Sequence, residues 1–330
     1  MSEYALKAAV LGAAQILQAA AGEGEENVLT IITIDFNSML NNSVYDAWFR
    51  DNLRCNLRSF SCLAQLFRRE TVGYTIAFHL KHSFEKKLIM FLFFTGAQGG
   101  YSEMTVTFEI SISWAIDVCS VFFDVVAQMV TRFMHFPKQE DGWRQVEAAF
   151  QRRRGFPGIV GAIDGTLFQI RRPTSFEGFY YRKGFPALNA QAVVDAAERF
   201  MSVEIRPGSW PDQKTWKYSA RGRSVHTVLP PENHLIHSYN TRIYNYYHSS
   251  TRMVVEMAFG MLKERFRALN VTLAGKICLK STKLIVGCMT LHNILLHHPM
   301  TPSLSSHRIT AHHHRWAKFA SQAVKAEVLQ

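Results

Sequence analysis

The sequence predicts an α/β protein in which a helical N-terminal region precedes a region of short strands followed by long helices. Up to Phe136 the apolar residues recur at three- and four-residue steps, which is the period of an amphipathic helix. From residue 158 to residue 205, short apolar and β-branched runs are separated by glycine, proline and charged residues, which is typical of strands and turns. Helical spacing returns from Asn245 onward, so strands come first and helices last in the second region.

Composition and charge limit the classes of protein to which this chain can belong. Hydrophobic residues make up 48% of the 330 residues and charged residues 19%, which is the profile of a globular chain and excludes an intrinsically disordered one. The formal net charge of +11 favours polyanionic partners, with nucleic acid first and an anionic membrane surface second. The five cysteines lie far apart without a CxxC pair, so neither a disulfide framework nor a cysteine zinc site is indicated.

Four segments are predicted along the chain. Residues 1–40 hold a short amphipathic helix and a linker, residues 41–140 a helical region, residues 150–298 the α/β region, and residues 299–330 a C-terminal tail. The first helix ends in small residues, as a secretory leader does, but two glutamines interrupt its apolar run. The most apolar run, residues 88–97, is shorter than the about 20 residues that span a bilayer, so we expect no membrane association.

The region 41–140 is predicted to contain a series of helices. Its first helix covers 45–70, because one apolar stripe at helical spacing contains Trp48, Leu53, Leu57, Phe60, Leu63 and Phe67. A second helix begins at Phe84 and is expected to stop at Gly99 and Gly100. A short helical segment follows, with a break between Glu109 and Ser111 before a longer helix.

The last two of these helices form a candidate helix-turn-helix. The second of them begins with serines, and the turn between them is tight. An ordinary corner of a helical bundle is the alternative, because the turn has no glycine and few basic residues lie on the second helix. The sequence leaves both interpretations open.

An acidic residue interrupts the most apolar of the predicted strands. The run "GIVGAIDGTLFQI" at 158–170 reads as a buried strand, yet Asp164 lies in its middle. A buried ionised carboxylate is costly unless a cation, a strong donor or water reaches it. We therefore expect Gly165 and Thr166 to turn the backbone and leave Asp164 at an open strand end. The next two runs should form a hairpin with its turn at 197–199.

A second acid, Glu256, lies near the apolar face of a late helix. An acid on a core strand and an acid on the inner face of a helix can meet across a sheet, and with a third acid they can hold two Mg²⁺ ions about 4 Å apart. Each acid also has a simpler interpretation: Asp164 as a turn residue and Glu256 as an ion-pair partner of Arg252. The nearby cations Lys263, Arg265 and Arg267 are interpreted as a solvated helix face.

Four blocks in the α/β region together resemble one known family. They are "GIVGAIDGTLFQI" at 158–170, "YYRKGFPALNAQAVVDAAERFMSVEIRPGSWPDQKTW" at 180–216, "YNYYHSSTRMVVEMAFGMLKERFRAL" at 244–269 and "GCMTLHNILLHH" at 287–298. In this order they resemble the DDE endonuclease domain of the PIF/Harbinger transposases. The resemblance implies an RNase H-like fold, with a mixed sheet flanked by helices, and cleavage of DNA with Mg²⁺ or Mn²⁺. It also implies a nuclear protein that acts with a separate DNA-binding partner protein.

The resemblance assigns two of the three metal-binding acids. Asp164 in "GAIDGT" matches the family's first acid and Glu256 in "MVVEMAF" its last, so both are expected to be catalytic metal ligands. The second should be an Asp after the strand "HLI", where this chain has His237 and Ser238. Asp212, Asp195 and His237 are candidate substitutes, although imidazole suits Mg²⁺ poorly. We therefore expect a metal-dependent nuclease of weak or absent activity, with a catalytically inactive DNA-binding or partner-binding module as the alternative.

Cations beside aromatic residues are the candidate DNA contacts. Arg171 and Arg172 follow the first strand, and Arg182 and Lys183 lie in the run "YYRKGFP" at 180–186. Arginine and lysine bind backbone phosphates, and aromatic residues beside them can stack. Plain solvated charge is the alternative. The sequence does not determine the oligomeric state or the DNA site.

Overall fold

The computed structural model describes most of the chain between residues 36 and 297. The described ranges are 36–73, 82–154, 157–173, 177–181, 184–219, 222–223, 234–237, 245–273 and 278–297. The helix predicted before residue 36, the cations Arg182 and Lys183, and the tail at 299–330 lie outside these ranges.

Helices make up the N-terminal part of the described chain. They are α1 (Phe36–Leu40), α2 (Asp46–Leu53), α3 (Leu57–Glu70), α4 (Phe84–Gly96), α5 (Gly100–Phe108), α6 (Ile112–Phe133) and α7 (Glu140–Arg154). Polar side chains cap several of them: Asn56 accepts a hydrogen bond from the Ser59 backbone N–H, and Ser111 accepts one from that of Trp114. The predicted break before α6 is confirmed, since Glu109 takes a left-handed conformation there.

Two predicted helix boundaries in this region are wrong. The apolar stripe from Trp48 to Phe67 is divided between α2 and α3, because Arg54 adopts a left-handed conformation with a φ of 59° and ends the first helix. Helix α4 ends at Gly96, because Ala97 is extended. Gly99 instead precedes α5, where its backbone N–H donates to the Glu103 carboxylate, so the glycine pair starts a helix that was expected to end there.

A mixed sheet follows the N-terminal helices. Its strands are β1 (Ile159–Gln169), β2 (Ala187–Val194), β3 (Phe200–Pro207) and β4 (His234–His237), in the spatial order β3-β2-β1-β4. Strands β1, β2 and β3 pair antiparallel, and β4 pairs parallel to β1. The predicted hairpin between β2 and β3 is confirmed: in its turn, the Asp195 carboxylate accepts from the backbone N–H groups of Ala197 and Arg199.

Helices cover both faces of the sheet. The remaining helices are α8 (Asp212–Tyr218), α9 (Asn245–Arg265) and α10 (Cys278–His297). Ala162 and Phe168 of β1 belong to the main hydrophobic core, together with Val255 and Leu262 of α9. Ile163 belongs to a smaller cluster on the other face, against which Trp216 of α8 packs. The described part of the chain is therefore a mixed α/β structure, as predicted.

The helical region and the sheet share one hydrophobic core, which extends in sequence from Met39 to Leu295. Asn293 of α10 connects the two regions through three hydrogen bonds: its carbonyl accepts from the Phe200 backbone N–H at 2.9 Å, and its amide donates to the carbonyl oxygens of Phe200 and Phe133, both at 2.7 Å. The predicted boundary between the two regions thus lies within a common core. The division into separate segments stays a prediction.

Helix α6 is long and apolar enough to cross a membrane by length and composition, with 22 residues and a mean hydropathy of 1.5 in its most apolar window. The same properties suit a core helix. One side of α6 is buried in the main core through Val118, Phe122 and Val125, and Asp124 forms an ion pair of 2.7 Å with Lys283 of α10. The expected absence of membrane association stays a prediction.

Candidate active site

Asp164 lies in the interior of β1. The strand continues beyond it, since Gly165 pairs with Gln191 and Thr166 with Ala190, so the predicted turn at Gly165 is wrong. The opening beside Asp164 comes instead from the neighbouring strand: the last residue pair between β1 and β4 is Ile163 with His237. The half-buried Asp164 is therefore next to the C-terminal end of a parallel strand, where side chains from adjacent strands and loops converge.

Glu256 lies on the helix that covers this face of β1. Lys263 follows it by two helical turns, so the two side chains emerge on the same side of α9. The Lys263 ammonium donates to the Thr166 hydroxyl at 2.8 Å and to the Leu167 carbonyl at 3.2 Å. Thr166 is two residues from Asp164 and on the same strand face. The side of α9 that carries Glu256 therefore contacts β1 at Lys263, while Glu256 itself, two turns earlier, is exposed.

Lys263 is a functional candidate that the sequence analysis assigned to a solvated helix face. Its ammonium lies 4.8 Å from the centre of the Phe168 ring as well as against Thr166. Burial lowers the pKa of Lys263, because the charged form loses hydration. A cation in this position lies beside the strand that carries Asp164 and can attract a phosphate oxygen. In the sequence, only its position seven residues after Glu256 could have indicated that Lys263 faces the same strand.

Asp212, a candidate for the missing second acid, lies on the opposite face of the sheet. A Cβ atom on Gly165 would lie 2.2 Å from its Oδ1, and Gly165 faces away from the side of β1 that Asp164 faces. The Asn189 amide donates to the same oxygen at 2.8 Å, and Gln191 donates to the Asp212 backbone carbonyl at 3.0 Å. The Asp212 carboxylate thus attaches α8 to the sheet.

The other two substitutes also leave the third position open. Asp195 accepts two backbone hydrogen bonds in its own turn and forms an ion pair of 2.7 Å with Arg199. The backbone of His237 is beside that of Ile163 at the end of β4, but its side chain lies outside the described part of the structure, as does Ser238.

The described residues do not fit a two-ion metal site. Asp164 and Glu256 supply the oxygen donors that Mg²⁺ and Mn²⁺ prefer. Within the described ranges, however, no group of three His, Cys, Asp or Glu side chains is placed to hold a metal ion. Thiol ligands do not replace them, because burial raises the pKa values of Cys55, Cys119 and Cys288, that of Cys55 to about 12.

The predicted DNA contacts Arg171 and Arg172 are exposed directly after β1. The Arg171 backbone N–H donates to the Leu273 carbonyl at 3.1 Å, which fixes the chain at this point. The Arg172 guanidinium lies 5.9 Å from the centre of the Tyr180 ring. A cation and an aromatic ring thus lie together beside the end of β1, and contact of these arginines with DNA stays a prediction.

The α5–α6 corner, the candidate helix-turn-helix, has a surface poorly suited to phosphates. Glu109 and Asp117 are exposed there, together with the apolar residues Ile112 and Ile116. The sequence of α6 contains no lysine or arginine before Arg132, near its far end. A helix that lies in a DNA groove ordinarily carries cations toward the backbone.

Comparison with known proteins identifies the α/β region. A family model described as DDE superfamily endonuclease matches residues 163–293, from the residue before Asp164 to α10. Residues 163–293 are therefore similar to DDE superfamily endonucleases. This finding confirms the resemblance that the four sequence blocks indicated.

Curated relatives of this endonuclease domain come from the Harbinger transposase-derived family. The chain is 30% identical to "Putative nuclease HARBI1" of Rattus norvegicus over 202 residues, which cover 54% of this chain and 57% of the relative. The proteins of the same name from Bos taurus and Homo sapiens are 29% and 28% identical, with the same coverage. The chain thus spans little more than half the length of these relatives. No solved structure gives a significant match.

Proposed function

We propose that this protein binds DNA through an RNase H-like domain of Harbinger transposase descent, and that its metal-dependent cleavage of phosphodiesters is weak or absent. The observation that carries the proposal is the position of Asp212. Its carboxylate lies on the face of β1 opposite to Asp164, so it does not replace the missing second acid. Asp164 and Glu256 alone give a weak site for one divalent ion.

The strand arrangement supports the RNase H-like assignment. A long central strand carries the first acid, an antiparallel hairpin extends the sheet on one side, and a short parallel strand ends beside that acid on the other. Helix α9, which carries Glu256, packs on the strand that carries Asp164 through Lys263. The acidic and apolar surface of α5–α6 favours an ordinary bundle corner over a DNA-reading helix-turn-helix.

Charge supports DNA as the partner. The net charge of +11 and the exposed Arg171 and Arg172 favour binding to a polyanion, which should weaken as salt concentration rises because counterions are released from the phosphates. A nuclear location, a separate DNA-binding partner protein and the absence of membrane association complete the proposal. The HARBI1 proteins support it only through their name and their partial similarity.

Plasmid nicking tests the proposal. Purified protein is incubated with supercoiled plasmid in Mg²⁺ or Mn²⁺, beside an Asp164→Asn variant with the same circular dichroism spectrum and melting temperature. We expect no nicking beyond that of the variant, together with salt-dependent DNA binding by both proteins. Nicking by the wild-type protein that disappears in both Asp164→Asn and Glu256→Gln would show an active nuclease and overturn the proposed impairment.

A further inference from the structure

A row of cations and aromatic rings lies on the α8 side of the sheet, outside the candidate active site. We call it the basic-aromatic strip, and it consists of Arg172, Tyr180, Arg206, Trp210, Lys214, Lys217 and Tyr218. Two cations lie against the Trp210 ring, with the Lys214 ammonium 4.3 Å and the Arg206 guanidinium 5.5 Å from its centre. Tyr218 meets Trp210 edge-on at 5.9 Å, and the Lys217 ammonium is 5.9 Å from the Tyr218 ring.

The two ends of the strip are connected through the backbone. The Ser209 hydroxyl donates to the Gly178 carbonyl, which links the loop that carries Tyr180 to the loop that carries Trp210. The Trp210 carbonyl accepts from the buried Asn189 amide at 3.0 Å, so this loop is attached to β2. These bonds attach the loops that carry Tyr180 and Trp210 to each other and to the sheet, which favours a preformed surface.

Two described acids near the strip already have partners, one of them within the strip. Glu204 forms an ion pair of 2.6 Å with Arg206, and the Asp212 carboxylate accepts from Asn189. Lys214 and Lys217 are exposed, and within the described part of the chain their contacts are with aromatic rings rather than with carboxylates. The Tyr218 residue is 48% exposed, which leaves ring surface available to a ligand.

We propose that the basic-aromatic strip binds single-stranded DNA, with backbone phosphates at Lys214 and Lys217 and an unpaired base stacked on Tyr218. Alternating cations and exposed rings match the alternation of phosphates and base faces along a single strand, and base stacking tolerates any sequence. A solvated charge cluster would not need aromatic rings between its cations. The inference rests on the proposed DNA-binding function but not on catalysis, because α8, which carries Lys214, Lys217 and Tyr218, covers the face of β1 opposite to Asp164.

Fluorescence anisotropy with labelled oligothymidylate tests the role of the two lysines. The variant Lys214→Ala/Lys217→Ala is compared with Lys138→Ala/Lys280→Ala, which removes two exposed lysines elsewhere and gives the same net charge. We expect the slope of log affinity against log salt to become less steep by about 1.4 in the strip variant, for two lost phosphate contacts on a single strand, and to be unchanged in the control. Equal effects in the two variants would overturn the inference.

Tyr218 variants test the stacking. Tyr218→Leu should weaken oligothymidylate binding about tenfold, whereas Tyr218→Phe should retain it because the ring remains. A duplex of the same length should respond much less to either change, because its bases are already stacked. Equal binding by the Leu and Phe variants would show that charge alone holds the oligonucleotide and would overturn the inference. Displacement of the oligonucleotide by poly-glutamate at equal charge concentration would indicate an acidic protein partner and would also overturn it.

These outcomes separate the inference from the proposed function. If the wild-type protein binds DNA in a salt-dependent way and the strip variants bind equally well, the strip is rejected while the DNA-binding function remains. If the wild-type protein binds neither duplex nor single-stranded DNA, both are rejected.

Discussion

The Lys263 ammonium donates a hydrogen bond of 2.8 Å to the Thr166 hydroxyl, two residues from Asp164 on the same face of β1. This contact places the α9 side that carries Glu256 over the strand that carries Asp164. It also positions a cation on the strand that carries Asp164, two residues farther along β1. The Lys263 ammonium also donates to the backbone carbonyl of Leu167 on β1 at 3.2 Å.

Replacing Lys263 by methionine should destabilise the protein. The Lys263→Met variant keeps the aliphatic side chain but leaves Thr166 and the Leu167 carbonyl without their donor, and a hydrogen bond to a charged group contributes about 1.5–3 kcal/mol. The desolvation that lowers the pKa of Lys263 offsets part of this, so we expect a loss of about 1 kcal/mol in urea unfolding. Lys280→Met, at an exposed position, should change stability by less than about 0.5 kcal/mol.

A methyl group at Gly165 should collide with Asp212. The added Cβ would lie 2.2 Å from the Asp212 Oδ1 and 2.9 Å from the Asn189 Oδ1, so Gly165→Ala should cost about 1–3 kcal/mol of unfolding free energy. In an Asp212→Ala background the cost should be smaller, and a double-mutant cycle measures the difference.

A matched glycine controls for backbone effects. Gly260 lies in α9 with no atom within 4 Å of an added Cβ, so Gly260→Ala should stabilise the protein by about 1 kcal/mol. Additive effects of Gly165→Ala and Asp212→Ala would contradict the position of Asp212 on the face opposite to Asp164.

An acid after β4 should restore metal binding. The family resemblance puts the missing acid at position 238, directly after β4, whose last residue pairs with Ile163 beside Asp164. We expect Ser238→Asp to raise the melting temperature in Mn²⁺ relative to buffer, since a ligand that binds the folded state stabilises it. Ser238→Asn, which adds a side chain of the same shape without charge, should show no such rise, and equal responses would argue against an acid-dependent metal site.

His292 should make the protein sensitive to acid. Its Nδ1 accepts from the Arg265 guanidinium at 3.3 Å and its Nε2 donates to the Glu198 carbonyl at 3.2 Å, which describes a neutral ring. Burial, and then the Arg265 charge, lower the pKa of His292 well below its usual range. Below pH of about 6.5 the unfolded state therefore binds a proton that the folded state does not, and stability should fall by about 1.4 kcal/mol per pH unit.

The pH dependence of unfolding checks this assignment. His292→Gln should flatten the dependence of the unfolding free energy on pH below about 6.5, whatever its effect at neutral pH. His135→Gln, at an exposed position, should leave the dependence unchanged. If the unfolding free energy of His292→Gln still falls steeply below about pH 6.5, groups other than His292 cause the loss.

The sequence by itself determined the local elements and the family. Apolar periodicity predicted β1, the β2–β3 hairpin and the long helices, because alternation and the helical period follow from backbone geometry. Boundaries set by single residues, such as the end of α2 at Arg54 and of α4 at Gly96, were missed because no sequence pattern marks a left-handed or extended residue of an ordinary type. The motifs around Asp164 and Glu256 predicted two metal-binding acids through the family resemblance, and this assignment stays a prediction.

Only the tertiary structure decided which side chains meet. Asp164 and Gly165 are adjacent in sequence but face opposite sides of β1. Asp212 lies on the side opposite to Asp164 because helix α8 covers the side that Gly165 faces. Lys263 was likewise expected on a solvated surface, but it contacts the strand that carries Asp164, because α9 packs on that face. The physical reason is that a strand's alternation fixes two faces, whereas long-range packing between segments far apart in the chain decides what covers each of them.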